Sequence, residues 1–384
     1  MMSRWFQPMH QPWKQRRKKL LMIVMWSMLF ACTSFASVIV LVGRLAGKVE
    51  VSPSAWHSVQ AAAMSQAVPE VPPARISKAL PVTMDEPDVV VRVWREKQNR
   101  AEDVSLETYL IGVVAGEMPI DFPLEALKAQ AIAARTFLFW QKKHSDGTLP
   151  QNAWVRDSIR DQVYLDDATL QKSWGAQYAE NRAKIERAVQ ETAGLIMTFQ
   201  GEPILSSFFA ISNGQTADVE DVWGEALPYL RSRPSPWDKK APTYEQTLTV
   251  SLDTFQNMFH VPLSAVKRSE LSLSRAGYVK EVAFGETRIS GQTVREKLNL
   301  PSTSFRWKID NDQMIIKTYG HGHGVGMSQW GARMLAENGW LAQDILTYYY
   351  TGIAFSVLSD DLKDLKHTDK KWVQQKTRYG KNKV

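Results

Sequence analysis

Cysteine is nearly absent: Cys32 is the only one in 384 residues. A single thiol excludes a disulfide framework within the chain and any zinc site built on several thiolates. No His-Glu-x-x-His pattern occurs, and the seven histidines offer no ligand spacing beyond the close pair His321 and His323. No internal repeat is evident, which sets aside solenoids and propellers. Charge is missing altogether between Leu20 and Val42, a run rich in Leu, Ile, Val, Met, Phe and Trp that also contains Cys32. About 20 apolar residues cross the hydrocarbon core of a bilayer, so this run is expected to be a membrane span. It is apolar on all sides, unlike a half-buried core helix, and longer than the roughly 7–15 apolar residues of a cleaved signal peptide. Acidic excess is also missing. Lys and Arg total 47 against 40 Asp and Glu, giving +7 and a pI near 9.2. In the cytosol that balance would suggest nucleic acid; outside a membrane the available polyanions are lipid and wall polymer, and solubility alone also accounts for it.

What is present organises the chain. Arg16, Arg17, Lys18 and Lys19 precede the apolar run, whereas Arg44 and Lys48 follow it more sparsely. The positive-inside bias makes residues 1–19 a cytoplasmic basic segment, 20–43 a transmembrane helix, and the remainder extracytoplasmic. Residues 44–87 read as a linker, with Pro53, Pro69, Pro72, Pro73, Pro81 and Pro87 among Ala, Ser and Val. Regular elements fill 88–358, one large or two-lobed domain. Residues 359–384 form a basic tail, with six Lys or Arg and no acid after Asp369.

Helices and strands are mixed in irregular order, which predicts an α+β fold with antiparallel-rich sheets. Val89–Trp94 reads as a strand and Glu107–Val114 as a helix. Leu124, Leu127, Ala131, Ala134 and Leu138 form one apolar stripe of a helix over 124–143, with Pro123 in its first turn and Asp121 as its cap. A helix over 184–193 closes at Gly194. Strands are expected at 195–199 and 204–211 around a Gly201-Glu202-Pro203 turn, and at 271–274, 279–284 and 314–318. A short helix over 328–337 stops at Asn338-Gly339.

Three segments carry more specificity than scaffold requires. In the first, Gly112-Val113-Val114-Ala115-Gly116-Glu117-Met118-Pro119, a carboxyl stands among apolar neighbours. There desolvation would favour a proton donor, or Glu117 would simply start the next helix. In the second, Ile211-Ser212-Asn213-Gly214-Gln215-Thr216 precedes Glu220-Asp221-Val222-Trp223. Hydroxyls, amides and an indole suit a sugar site, but an ordinary Asn-Gly turn gives the same pattern. The third is Gly320-His321-Gly322-His323-Gly324-Val325-Gly326-Met327-Ser328-Gln329-Trp330-Gly331-Ala332. Its glycines allow close backbone approach to a ligand, and its paired histidines raise a zinc reading that lacks a third ligand.

Together these segments resemble the stage II sporulation protein D family, which includes the amidase-enhancer proteins. The pieces that carry the resemblance are Val113–Pro119, Lys128–Thr136, Glu220–Trp223 and Gly322–Ala332, and the likeness runs from about Val89 to Phe355. It implies a membrane-anchored lytic transglycosylase that cuts peptidoglycan glycan strands, preferring peptide-stripped glycan, during forespore engulfment at the sporulation septum. Implied partners are a wall amidase-endopeptidase and a polytopic membrane protein of the engulfment complex; no nucleic acid and no cofactor are expected. The family's catalytic glutamate corresponds to Glu117, which one-residue acid/base chemistry would suit. As the resemblance is carried over, Ser212, Asn213, His323 and Gln329 would orient the sugar. Trp223 would stack on it, and Gln130, Ser328 and Trp330 would add contacts. Arg135 would meet a muramic carboxylate or brace a buried carboxylate. Where relatives often have Cys before Gln162, this chain has Asp161, so no metal is expected. Two other readings stay open: a non-catalytic wall-binding activator of an N-acetylmuramoyl-L-alanine amidase, and a metal-dependent wall hydrolase using His321 and His323.

Overall fold

The Ala-rich stretch 126–134 builds the centre of the larger of two lobes. It lies in the helix Leu124–Lys143, of which fourteen of twenty residues are buried, including Ala129, Ala131, Ala133 and Ala134. The helix is surrounded rather than merely covered. It packs on the helices Leu106–Glu117, Tyr178–Gln190, Gln329–Glu337 and Ala342–Tyr349 and on the strand Leu195–Phe199. Small side chains let so many neighbours approach, which is why burial goes well beyond the single expected stripe. At its start, Pro123 holds the cap position in extended backbone with no side-chain cap. Asp121 does not cap the helix; it pairs with Arg333 at 3.4 Å on the surface.

This computed structural model describes Val71, residues 89–145 and residues 147–358. The expected cytoplasmic segment, membrane helix and basic tail lie outside the described residues. So does the linker, apart from Val71, which packs against the main core. Among the described residues no helix is long and apolar enough to cross a membrane. The fold is α+β, with small and mostly antiparallel sheets. Val90–Arg95 pairs antiparallel with Arg100–Ser105 and parallel with Val155–Arg156. Leu195–Phe199 runs between Ala354–Val357 and Glu202–Pro203. Only Phe208–Phe209 of the longer strand expected at 204–211 is regular, because its parallel partner, Met327–Ser328, is equally short. That pairing joins the second sequence segment to the third.

Residues 245–319 fold around a separate core of Phe255, Phe259, Phe284 and Phe305 with several aliphatic residues. It has two three-stranded antiparallel sheets. Glu245–Ser251, Gln313–Tyr319 and Phe305–Asp310 make one; Glu270–Leu273, Val279–Phe284 and Thr287–Ser290 make the other. The helices Leu252–Phe259 and Gly291–Leu298 cover them.

A short unit recurs across both lobes, although no fixed period announces it. Val104-Ser105-Leu106-Glu107-Thr108-Tyr109, Val250-Ser251-Leu252-Asp253-Thr254-Phe255 and Ile289-Ser290-Gly291-Gln292-Thr293-Val294 each end a strand and start a helix. In each the serine hydroxyl accepts the backbone N–H of the threonine three residues on, at 3.2, 3.1 and 3.0 Å. The second and third helices stop after eight residues at His260 and Asn299, both left-handed, followed by Val261-Pro262 and Leu300-Pro301. The first helix instead runs twelve residues, and its additional turn ends at Glu117.

Candidate active site

The two lobes face each other across a groove of about 840 Å³, within the range of small-ligand pockets. The larger lobe lines it with Glu117, Phe137, Asp161, Gln162, Ser206–Ala210, Asp221–Trp223 and Gln329. The smaller lobe contributes Tyr278, Lys280, Thr293 and Arg295, among others, and His321 and His323 come from the segment linking the lobes. Lys280 bonds Asp221 across the junction at 2.7 Å, and Ile159 stands 86% exposed at the groove rim.

Glu117 is the last residue of its helix, not the first of the next. The turn that follows is braced by the Lys184 ammonium, which donates to the carbonyls of Ile120 and Phe122 at 2.7 and 2.8 Å. From outside, the segment 163–165 lies directly on the helix because Gly112 and Gly116 leave room for it. A Cβ on Gly112 would overlap the Leu165 carbonyl and the Tyr164 ring, and one on Gly116 would sit 2.8 Å from the Val163 carbonyl oxygen. This close approach lets the Val163 N–H donate to Glu117 Oε1 at 2.6 Å. Beside it, Gln162 is buried and accepts the Tyr109 hydroxyl at 2.8 Å.

Gly112→Ala is therefore expected to destabilise the protein. The clash is with backbone, so overpacking should cost about 3 kcal/mol, against roughly 1 kcal/mol that Ala gains over Gly in a helix. Denaturant unfolding should show a net loss of about 2 kcal/mol, and a variant as stable as the parent would refute the packing argument.

His323 has a defined tautomer. Its Nδ1 accepts the Val325 N–H at 3.1 Å, so the neutral ring carries its proton on Nε2 and is a donor there. The ring is wedged between Phe209 and Trp223, with centroids at 5.6 and 5.3 Å. Trp223 is only 5% exposed. It lines the groove with little of its surface and packs against His323, which leaves little ring face for a sugar. Partial desolvation by the groove walls, and then the Arg295 cation, push the His321 imidazole below its usual range. Gln329 lines the groove, and its Nε2 donates at 3.3 Å to Oε1 of the fully buried Gln130 behind it. Gln130 Nε2 has no hydrogen-bond partner among the described residues.

The other residues singled out from the sequence lie away from the groove surface. Arg135 is fully buried, and its guanidinium donates to the carbonyl of Val189 in the last turn of the helix Tyr178–Gln190 and to those of Thr192 and Leu195 just beyond it. Asn213 ties its loop to the smaller lobe, donating to the Ala276 carbonyl at 2.9 Å and the Ser304 hydroxyl at 3.0 Å. Trp330 packs edge-on against Phe122 and under Arg333. Ser212 and Ser328 are fully buried and meet on Asp238, a residue the sequence reading passed over. Asp238 Oδ2 accepts the Ser212 N–H at 2.7 Å and the Ser328 hydroxyl at 2.6 Å, and Oδ1 accepts the Ser235 hydroxyl at 3.0 Å. Burial pushes this carboxyl up to about 6, while those hydrogen bonds pull the other way. Ser328 also caps the helix Gln329–Glu337 through the Gly331 N–H.

Among the described residues no three His, Cys, Asp or Glu side chains gather as metal ligands. Asp161 accepts the backbone N–H and guanidinium of Arg156 at 2.8 and 3.2 Å. Sequence reasoning also missed the smaller-lobe wall, Tyr278, Lys280, Thr293 and Arg295. Its only sequence trace is the recurring Ser-x-x-Thr cap that starts the Gly291–Leu298 helix.

Residues 95–199, which include Glu117 and the segment covering it, match the SpoIID family model, described as Stage II sporulation protein. Stage II sporulation protein D of Bacillus amyloliquefaciens is 42% identical over 285 residues, 73% of this chain and 83% of the relative. The protein of the same name from Bacillus subtilis (strain 168) is 42% identical over 278 residues, 71% of this chain and 81% of its own. An amidase enhancer of Bacillus subtilis (strain 168) is 28% identical over 302 residues, 63% of this chain and 39% of the relative. At that identity over more than four fifths of two such relatives, the chain belongs to the stage II sporulation protein D family.

Proposed function

We propose that this sporulation-family protein is a membrane-anchored lytic transglycosylase of peptidoglycan, acting outside the membrane at the sporulation septum during engulfment. The observation that carries the reading is Glu117 on the wall of an inter-lobe groove, fixed by the Val163 N–H. His323 and Gln329 line the same groove. Polar groups on both walls, with aromatic residues among them, suit a chain of sugar rings.

Two of the other carboxyls lining the groove are engaged in ion pairs, Asp161 with Arg156 and Asp221 with Lys280. Hydrolysis by paired carboxylates would need a second working acid. A lytic transglycosylase does not. Glu117 hands its proton to the oxygen bridging two sugars, and the C1–O bond breaks. The 6-hydroxyl of the same sugar bonds to C1, and its proton returns to the Glu117 carboxylate. The product is a 1,6-anhydro end, and no water is consumed. His323 Nε2–H and Gln329 would orient ring hydroxyls or the acetamido group.

Incubating the purified full-length chain with peptide-free glycan should release fragments with anhydro ends, read by mass spectrometry. Fragments ending in an ordinary reducing sugar would mean hydrolysis and defeat the mechanism. Because one relative is named an amidase enhancer, a non-catalytic activator of a wall amidase is the second reading. It predicts stimulation of an amidase that survives loss of Glu117. A wall amidase-endopeptidase and a polytopic membrane protein are the partners the first reading calls for.

A further inference from the structure

A second cavity, of about 390 Å³, opens where the lobes join and shares no lining residue with the groove. Neighbours in sequence divide between the two: Thr303 and Tyr278 line the groove, Ser304 and Gly277 the cavity. The larger lobe supplies the loop Asn213–Gln215 and Lys239, whose stem lies against Gly214. From the smaller lobe come Arg306, on the strand Phe305–Asp310, and Tyr319, whose ring packs on Tyr244 with centroids 5.9 Å apart.

The cavity is cationic. Among the described residues neither Arg306 nor Lys239 has a carboxylate within ion-pair distance. Lys317, opposite Arg306 in the sheet, is joined to Glu245. Burial works against the Arg306 charge, so an anion arriving with a ligand would relieve it. Arg306 Nη1 donates to the Phe305 carbonyl at 2.6 Å and Nη2 to the Gly277 carbonyl at 3.4 Å. Both ends of the fork that would grip a flat carboxylate are thus engaged. What remains is a set of donors converging from two lobes: the two cations, the Tyr319 hydroxyl, and the Ser304 hydroxyl, which accepts the Asn213 amide and keeps its own proton for a ligand. Donors so dispersed suit the oxygens of a tetrahedral phosphate.

We propose that this cavity binds a phosphodiester of an anionic wall polymer, apart from the groove. Its volume falls in the range of pockets that hold a ligand of several groups rather than one ion. None of the exposed large hydrophobic side chains among the described residues lines it, so an acyl chain would find nothing to lie on, which favours a polymer over a lipid headgroup. The proposal rests on the chain lying outside the membrane, and not on which reaction the groove performs.

The purified full-length chain, in an uncharged detergent, is titrated calorimetrically with a glycerol-phosphate hexamer, with inorganic phosphate and with dihexanoyl phosphatidylglycerol. The hexamer should bind most tightly. Arg306→Gln and Lys239→Gln should each weaken it about tenfold, Arg306→Lys less, and Lys172→Gln, an exposed cation on the helix Asp167–Trp174, not at all. Hexamer affinity unchanged in folded Arg306→Gln and Lys239→Gln would overturn the proposal. So would an equal loss in Lys172→Gln, which would mean attraction to net charge alone. Phosphate binding as well as the hexamer would reduce the cavity to a free-anion site, and tighter binding of the lipid would assign it to a membrane; either result overturns the polymer reading. If Arg306→Gln fails to fold, Lys239→Gln, on an exposed side chain, decides. Cleavage of peptide-free glycan is scored separately, so failure of this proposal and failure of the transglycosylase reading stay distinct.

Discussion

Glu117→Gln should lose cleavage of peptide-free glycan by about 10³-fold while keeping its fold. Proton transfer by one positioned side chain typically contributes about 10²–10⁴-fold, and here the same group serves as acid and then as base. The substitution suits the local geometry. An amide oxygen can still accept the Val163 N–H that now bonds Oε1, and the side-chain volume is unchanged. Unfolding free energy should therefore move by about 1 kcal/mol or less. The rate of appearance of anhydro-ended products, followed beside a thermal melt, separates chemistry from folding. A folded variant that retains more than about a tenth of the parent rate would remove Glu117 from the reaction. Asp161→Asn is the matched control. Asp161 lines the same groove but holds Arg156, so its loss should act on the loop 157–162 more than on the chemical step.

Local chemistry made part of this fold readable. Ser328 capping a helix that ends before Gly339, at φ +82, follows from side-chain hydrogen bonding and glycine sterics within a few residues. The strand at Val279–Phe284 is equally local in origin. Polar residues in the motif segments were harder to read, because a buried structural serine and a ligand-binding serine look the same in sequence. Ser212 and Ser328 meet Asp238 from 26 and 90 residues away, a separation no periodicity reveals. Arg135 poses the same difficulty: a cation inside an Ala-rich helix can face a ligand or a set of carbonyls, and only the tertiary packing decides. The smaller-lobe wall was invisible for a different reason. Lys280 and Arg295 sit in segments with no marked composition, and they become groove residues only because the second core turns those segments toward Glu117. The threefold strand-cap-helix unit escaped notice because its copies share only a serine, a threonine and the apolar residues around them.

Asp238→Ala should be the most destabilising of these substitutions, and Asp238→Asn should show why. Alanine would leave the Ser212 N–H and the Ser328 and Ser235 hydroxyls facing a cavity in a fully buried site. Stranding several buried donors at once should cost on the order of 4 kcal/mol. Gly331 packs so tightly beside Asp238 Oδ1 and the Tyr349 hydroxyl that the surroundings have little freedom to collapse inward. Asparagine, by contrast, keeps one oxygen for Ser212 and Ser328, and its amide can donate to Ser235, whose hydroxyl can turn toward Tyr349. It also mimics the protonated acid. Because the folded carboxyl titrates near 6 and a free Asp near 3.9, the folded protein holds the proton more tightly. The stability this lends is fully present below about pH 4 and is lost as the pH rises through about 6, a loss on the order of 3 kcal/mol. Asp238→Asn should not show this loss, so the difference between its unfolding free energy and that of the parent should widen in favour of Asn between pH 4 and 7. Parallel curves would mean that Asp238 does not titrate as its burial dictates. Both variants also bear on the groove. Ser328 belongs to the segment that carries His323 and Gln329, and Ser212 follows Ile211, which bridges to His321 in that segment, so Asp238→Ala should lower glycan cleavage even under conditions where it stays folded, and Asp238→Asn should leave cleavage near the parent rate.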